Sequence, residues 1–467
     1  MRISLVFLIA GVLIGIGVML VVGYTLLNPA VPLIAEAGFA PDTISPNADG
    51  VDDVTIFAYT LSRGAVIDLT FTHEDGREFV FRQREQRIPG EHRVAFSGVV
   101  DGYRQEGDRV IGQIVRRLMP DGVYTWTLRA VEENGSSDVR SGTLTIAGGD
   151  STLPDILEFT VGPAEFTPNQ DGISDRAYIN VVLAKDSDLQ VFLVAPDGTR
   201  ILIPERLEGT RPGQAGRHTF DYEGGVDRNA DPPPDGTYEI VASAQDAVGQ
   251  RIEQRATIAI VNGGKPFAQI VTQPTGVSVV FETLPWDERY YAERDNPGVP
   301  VAIPADPAAL SLTTVALPVG DLLVFKLTVE NNGSVPIRTT GPEPGTVYTW
   351  DQNASTLGWF EEPGAWRIGI DCTTAARDYP WRWAVGTRDD LVAVDDPVTG
   401  ATYYYLPPGR RAVVWGAIRM TTIEVYNPQQ CWAGLIHERV GISQFNNVVG
   451  ARDIELIEIS PADQAQP

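Results

Sequence analysis

Ser45-Pro46-Asn47-Ala48-Asp49-Gly50-Val51-Asp52-Asp53 is answered by Thr167-Pro168-Asn169-Gln170-Asp171-Gly172-Ile173-Ser174-Asp175, an offset of 122 residues from Asn47 to Asn169. Asp75-Gly76 meets Asp197-Gly198 at the same offset, so this part of the chain aligns without a gap. Self-similarity of this kind means that one structural unit occurs twice. A second anchor closes each copy, Pro120-Asp121-Gly122-Val123-Tyr124 and Pro234-Asp235-Gly236-Thr237-Tyr238, where the offset has fallen to 114 residues. The loops between the anchors therefore differ in length.

Apolar and polar residues alternate between the anchors, over 54–59, 65–71 and 189–194. Period two argues for strands with one buried face. Asp-Gly between such runs supplies the positive φ that hairpin turns need. Short strands at this spacing describe a β-sandwich of immunoglobulin size. The expected class is all-β: an N-terminal transmembrane helix (1–30), two tandem immunoglobulin-like sandwiches (31–148 and 149–263) and a distinct C-terminal sandwich-like domain (264–467).

The Ser/Thr-Pro-Asn-x-Asp-Gly-x-x-Asp opening and the Pro-Asp-Gly-x-Tyr closing resemble the immunoglobulin-like module of the flagellar hook-cap protein family and related bacterial surface proteins, over residues 37–262. That family usually carries a Trp-Asp-Gly-type turn before the closing motif. Here Phe96-Ser97-Gly98 and Phe220-Asp221-Tyr222-Glu223-Gly224 stand in its place. The resemblance implies a module and not a flagellar role, because a fold does not carry its function with it.

Asn47, Asp49 and Asp53, and their counterparts Asn169, Asp171 and Asp175, place oxygen side chains at positions one, three and seven around a Gly turn. Calcium takes six to eight such oxygens, together with backbone carbonyls. The same spacing suits an Asx-turn in which Asn and Asp accept local backbone amides. No Glu follows at position twelve, so the loop is not an EF-hand, and both readings stay open.

From Ile3 to Leu27 the chain runs 25 residues without a charge, against about 20 needed to cross a bilayer as a helix. The expectation is a single-pass signal-anchor at the cell membrane with the bulk of the chain outside. Arg2 before the span and Glu36 after it place the N-terminus in the cytoplasm. A cleaved signal peptide ending near Ala35-Glu36-Ala37 is the alternative. Gly11 and Gly15 form a small-xxx-small face that would suit a homodimer.

After Asn262-Gly263-Gly264 the repeat motif is absent, and strand alternation returns at 322–330, 403–406 and 412–418. Eight of the nine Trp lie here. Trp359, Trp381 and Trp383 could form a platform that contacts a ligand, or a Trp-rich core. In Trp381-Arg382-Trp383 both Trp fall on one sheet face and the Arg on the other. Cys372 and Cys431, 59 residues apart, are the only cysteines; outside the cytoplasm they would form a disulfide worth roughly 4 kcal/mol in the chain-entropy model.

A formal charge of -25 makes nucleic acid a poor partner. Four His and two Cys exclude zinc ribbons and disulfide-dense scaffolds. No nucleophile elbow, zincin motif or phosphate loop occurs, and the one acid-base pair in an aromatic setting, His437-Glu438, sits on adjacent residues that point to opposite faces of a strand. The sequence thus points to a non-catalytic, membrane-anchored surface protein of a bacterial envelope, a stalk with a binding or adhesion domain for an envelope protein or glycan. A membrane-tethered glycan-binding or glycan-processing enzyme is the alternative.

Overall fold

The computed structural model describes residues 11–19, 31–206, 211–274, 276–286, 301–305, 313–396 and 399–458. These fall into two compact units, one drawn from Met1–Thr160, Asn180–Phe220 and Glu239–Ala256, the other from Val161–Ile179, Asp221–Tyr238 and Thr257–Pro467. Beyond the N-terminal helix, the elements among the described residues are strands and three short 3-10 turns.

Of the long apolar N-terminal run, the described part is a helix over residues 11–19. Among the described residues no helix is long and apolar enough to cross a membrane. This overturns the expected transmembrane helix, and with it the signal-anchor, the single-pass location at the cell membrane and attachment through that helix. The remainder of the expected span, 3–10 and 20–27, lies outside the described residues. Gly11 and Gly15 lie on this helix, and among the described residues of the chain no atom comes within 4 Å of where a Cβ would sit.

In the first unit, strands Ile34–Ala40, Thr55–Leu61 and Gly90–Phe96 pair antiparallel into one sheet. A second sheet runs Thr43–Ile44, Ser137–Ile146, Gly122–Val131, Ala65–His73, Glu78–Arg87. Ala65–His73 buries every second residue along its whole length, as Thr55–Leu61 does. The inward faces hold an aromatic core: Phe71 stacks on Phe96 at 4.8 Å, and Phe57 meets Trp126 edge-on at 5.3 Å. Such offset and edge-to-face geometries add to what burial alone contributes.

A hairpin of Val99–Asp101 and Gln113–Leu118 extends from this sandwich and pairs, from Gln113 to Arg116, with residues 251–253 of the second repeat. Gln250, fully buried, locks the contact. Its Oε1 accepts from the Leu118 amide at 3.3 Å, and its Nε2 donates to the Asp150 and Thr152 carbonyls at 3.0 Å.

The closing anchors fold alike, each within its own unit. The Tyr124 hydroxyl donates to the Pro120 carbonyl at 2.6 Å, and the Tyr238 hydroxyl to the Pro234 carbonyl at 2.6 Å. Asp121 accepts the amides of Gly148 and Gly149, and Asp235 those of Asn262 and Gly263. One side chain thus ties the turn to the end of the module's last strand in both copies.

In the second unit, Leu322–Asn331 forms the centre of one sheet, with Arg411–Arg419 on one side and Ala268–Val271 and Val279–Leu284 on the other. A second sheet is centred on Trp366–Cys372, buried at every position and flanked by Gln429–His437 and Trp381–Ala384. Cys372 lies opposite Cys431 in the register, and the two are joined by a disulfide. Trp383 is wholly buried against Phe325 at 4.6 Å and Tyr348 at 4.9 Å. Gly416 makes room for it, because a Cβ there would stand 2.3 Å from the indole nitrogen.

Candidate functional site

In the first repeat the acidic loop satisfies itself. Asp53 accepts the amides of Asn47, Ala48 and Gly50 at 2.9, 2.7 and 2.7 Å, and Asp49 accepts that of Val51 at 2.8 Å. Desolvation pushes the Asp53 pKa up, but these backbone donors outweigh it and hold the carboxyl below its ordinary value. Both carboxylates thus accept local backbone N–H donors, the pattern of an Asx-turn. Among the described residues no group of three or more His, Cys, Asp or Glu is gathered for a metal ion.

The second loop makes the same turn but is enclosed by the distal domain. Asp175 accepts the amides of Asp171 and Gly172 at 3.1 and 2.7 Å, and Asp171 Oδ1 accepts that of Ile173 at 2.8 Å. Asp171 Oδ2 takes the Tyr405 hydroxyl at 3.0 Å. Arg338, 4% exposed, donates through Nε to the Asp171 carbonyl and through Nη2 to the Pro363 carbonyl, both at 2.6 Å. His437 Nε2 lies 2.8 Å from the Gln170 carbonyl. The backbones touch here: a Cβ on Gly172 would sit 2.0 Å from the Pro363 oxygen, and one on Gly364 would sit 2.1 Å from the Asp171 carbonyl carbon. Desolvation raises the Asp171 pKa. Desolvation, then the charge of Asp171, pushes Asp175 up to about 7, and burial pulls His437 down to about 4.

His437 and Glu438 do not act as a pair. The imidazole stacks on Trp366 at 4.3 Å, whereas Glu438, 2% exposed, accepts from Arg382 Nη1 at 2.9 Å on both oxygens and lies 3.4 Å from Arg367. No catalytic arrangement occurs among the described residues.

Arg367 and Arg382, the partners of Glu438, also line a cleft of about 510 Å³, within the usual range for ligand sites. Trp359 and Phe360 stand on its rim, 37% and 69% exposed, and no other Trp of the chain is as exposed. They follow the short turn Ala354–Leu357, capped by Asn353, whose side chain accepts the Ser355 and Thr356 amides. The cap fixes where the aromatic pair emerges. Arg367, Arg377, Arg382 and Arg439 line the cleft alongside Glu361 and Asp378. Arg367 is spent on structure, donating to the Thr340 and Phe360 carbonyls. Arg382 bonds the Tyr379 carbonyl and Glu438 through Nε and Nη1, leaving Nη2 without a hydrogen bond among the described residues. Arg377 is exposed and makes none. Arg439 contacts Glu361 through Nε at 3.2 Å. A second cleft of about 280 Å³, bordered by Tyr403, Tyr404 and Arg388, also touches Trp359.

Of the three aromatics marked in the sequence, Trp381 and Trp383 are core and unavailable to a ligand, while Trp359 reaches solvent. Sequence reasoning missed Arg338, Tyr405 and His437 around the second loop and the arginines of the cleft; the alternation in Trp381-Arg382-Trp383 was the one signal that set Arg382 apart from the core.

No protein-family model matches the chain, and no curated protein matches it. Solved structures with some similarity include a calcium-stabilised adhesin with which an Antarctic bacterium binds ice (10% identity, 90% of this chain and 73% of that one, TM-score 0.20). Others are a tetra-tandem repeat from the extending region of a large adhesion protein (10% identity, 91% and 92%, TM-score 0.17) and a 1.5-MDa bacterial ice-binding adhesin (10% identity, 84% and 98%, TM-score 0.17). At such scores the likeness carries no argument about the chain's role, and it does not single out the hook-cap module.

Proposed function

We propose that the chain is a non-catalytic binding protein of the bacterial cell surface. Two related sandwich modules, 31–148 and 149–263, of the kind that the hook-cap family and other bacterial surface proteins carry, hold a Trp-rich binding domain, 264–467, that engages an envelope component. One observation carries this reading: Trp359 and Phe360 are presented to solvent on the rim of a cleft, in a domain that otherwise buries or half-buries its Trp. Exposed aromatics beside arginine are the residue types that dominate binding energy in recognition sites. Within the second unit, Arg338, Tyr405 and His437 hold the Asp171 loop in place.

The test is binding of the full chain to a glycan array and to purified bacterial envelope fractions, with Trp359→Ala as control. Saturable retention that the variant loses at least tenfold supports the reading. Absence of retention on both surfaces, or retention unchanged in the variant, removes the distal cleft as the binding end.

A further inference from the structure

We infer that the Trp359 cleft takes an acidic oligosaccharide, with the rings of Trp359 and Phe360 against sugar faces and the free donors of Arg377, Arg382 and Arg439 on a sugar carboxylate. This rests on the reading of the distal domain as the binding end and names the ligand class of that site.

The argument for an anion begins from charge. In a chain of formal charge -25, the cleft gathers four guanidiniums against two acids, Glu361 and Asp378. The buried Glu438 is consumed by Arg382 and Arg367. Arg382 Nη2 and the Arg377 guanidinium have no hydrogen bond among the described residues, and Arg439 commits only its Nε edge, to Glu361. Unused guanidinium donors suit a planar carboxylate, which they can hold bidentately.

A sugar fits better than an acidic peptide or a bare phosphate for two reasons. Asp378 and Glu361, the latter paired with Arg439, face the same cleft; they offer acceptors for the hydroxyls that every ring of an acidic sugar carries beside its carboxylate and that an acidic peptide or a bare phosphate lacks. The exposed rings of Trp359 and Phe360 offer flat apolar area to the C–H face of a pyranose, and such contact needs no charge. An oligomer fits better than a monosaccharide because Trp359 borders both the 510 Å³ and the 280 Å³ clefts, so a chain of sugars crossing the indole reaches Tyr403, Tyr404 and Arg388 on its far side.

The experiment uses the full chain and calorimetric titration with tetragalacturonate and tetramannuronate, their methyl esters, cellotetraose, free galacturonic acid and a short poly-glutamate peptide. The expected result is saturable binding of at least one acidic tetramer, with its methyl ester and free galacturonic acid at least tenfold weaker. Arg377→Ala with Arg439→Ala should bring acid and ester to the same affinity without changing the melting curve, as both side chains are exposed. Binding of neither acidic tetramer, equal binding of acid and ester, or poly-glutamate as tight as the acidic sugar would each overturn the inference. Equal affinity for cellotetraose would do so while leaving the distal domain as a binding domain.

Discussion

The Tyr405 hydroxyl donates to Asp171 Oδ2 at 3.0 Å across 234 residues of sequence. In the first repeat the equivalent Asp49 is exposed, and its outer oxygen is met only by the Asn47 side-chain amide at 3.1 Å. The same motif therefore serves two ends: a free loop in one copy and a buried joint in the other. What separates them is the set of partners that the distal domain brings, Arg338, Tyr405 and His437, and not the loop sequence.

Tyr405→Phe should destabilise the second unit by about 1 to 3 kcal/mol, the cost of leaving a buried polar group short of a partner. Asp49→Ala, in the exposed loop, should cost clearly less. Denaturant unfolding of the two variants side by side measures the difference, and a Tyr405→Phe chain as stable as the parent would mean that the Tyr405 bond contributes nothing at the joint.

The strands were legible because their faces are. Ala65–His73 and Thr55–Leu61 alternate in the sequence and alternate in burial, since one face of each sheet meets the core. The closing motif was legible too, because Tyr124 and Tyr238 need only a carbonyl four residues upstream. The docked loop was not: Arg338 and His437 reach it from 167 and 267 residues away, and no local pattern marks them. Composition placed the Trp in one domain, but two indoles in Trp381-Arg382-Trp383 share a face whether that face is core or surface; the facing sheet, with Phe325 and Tyr348, decides it. The apolar run at the N-terminus is the converse case: hydropathy alone pointed to a spanning helix, and among the described residues no helix is long and apolar enough to cross a membrane.

Stability of the joint should respond to pH through opposed groups, the Asp171 and Asp175 carboxyls raised by desolvation and the His437 imidazole lowered by it. Asp175 rises from 3.8 to about 7 on folding, so the stability it contributes is complete below 3.8 and is lost as pH climbs through about 7. His437 falls from 6.5 to about 4, so its contribution is complete above 6.5 and is lost as pH drops through about 4. Between pH 4 and 6.5 the falling slope of the carboxyls and the rising slope of His437 offset each other. Asp175→Asn removes the Asp175 share of the falling slope, so its unfolding midpoint should climb with pH across that window more steeply than that of the parent chain. Parallel midpoints across the window would show that Asp175 titrates normally.

Calcium and a chelator should give coincident melting curves. Asp53 and Asp175 each accept backbone amides on both oxygens, so each loop closes without an ion. A cation bound only by the folded chain would raise the midpoint by mass action. Differential scanning with millimolar calcium and then with chelator decides it. A midpoint that rises with calcium, and no longer does so in Asp49→Ala with Asp171→Ala, would restore the cation.

Trp359 and Trp383 should separate binding from stability. Trp383 is enclosed by Phe325 and Tyr348 and donates through its indole nitrogen to the Thr346 carbonyl at 3.0 Å. Its replacement by Ala leaves a large cavity and an unpaired acceptor, at a cost of about 3 to 5 kcal/mol. Trp359 is 37% exposed at the cleft rim and donates no indole hydrogen bond among the described residues, so Trp359→Ala should cost less than about 1.5 kcal/mol, nearer the range of surface substitutions. Urea unfolding of both variants, followed by the array measurement on whichever stays folded, reads the two effects independently. A Trp359→Ala chain as unstable as Trp383→Ala would make the rim indole part of the core and take the cleft out of consideration as a recognition surface.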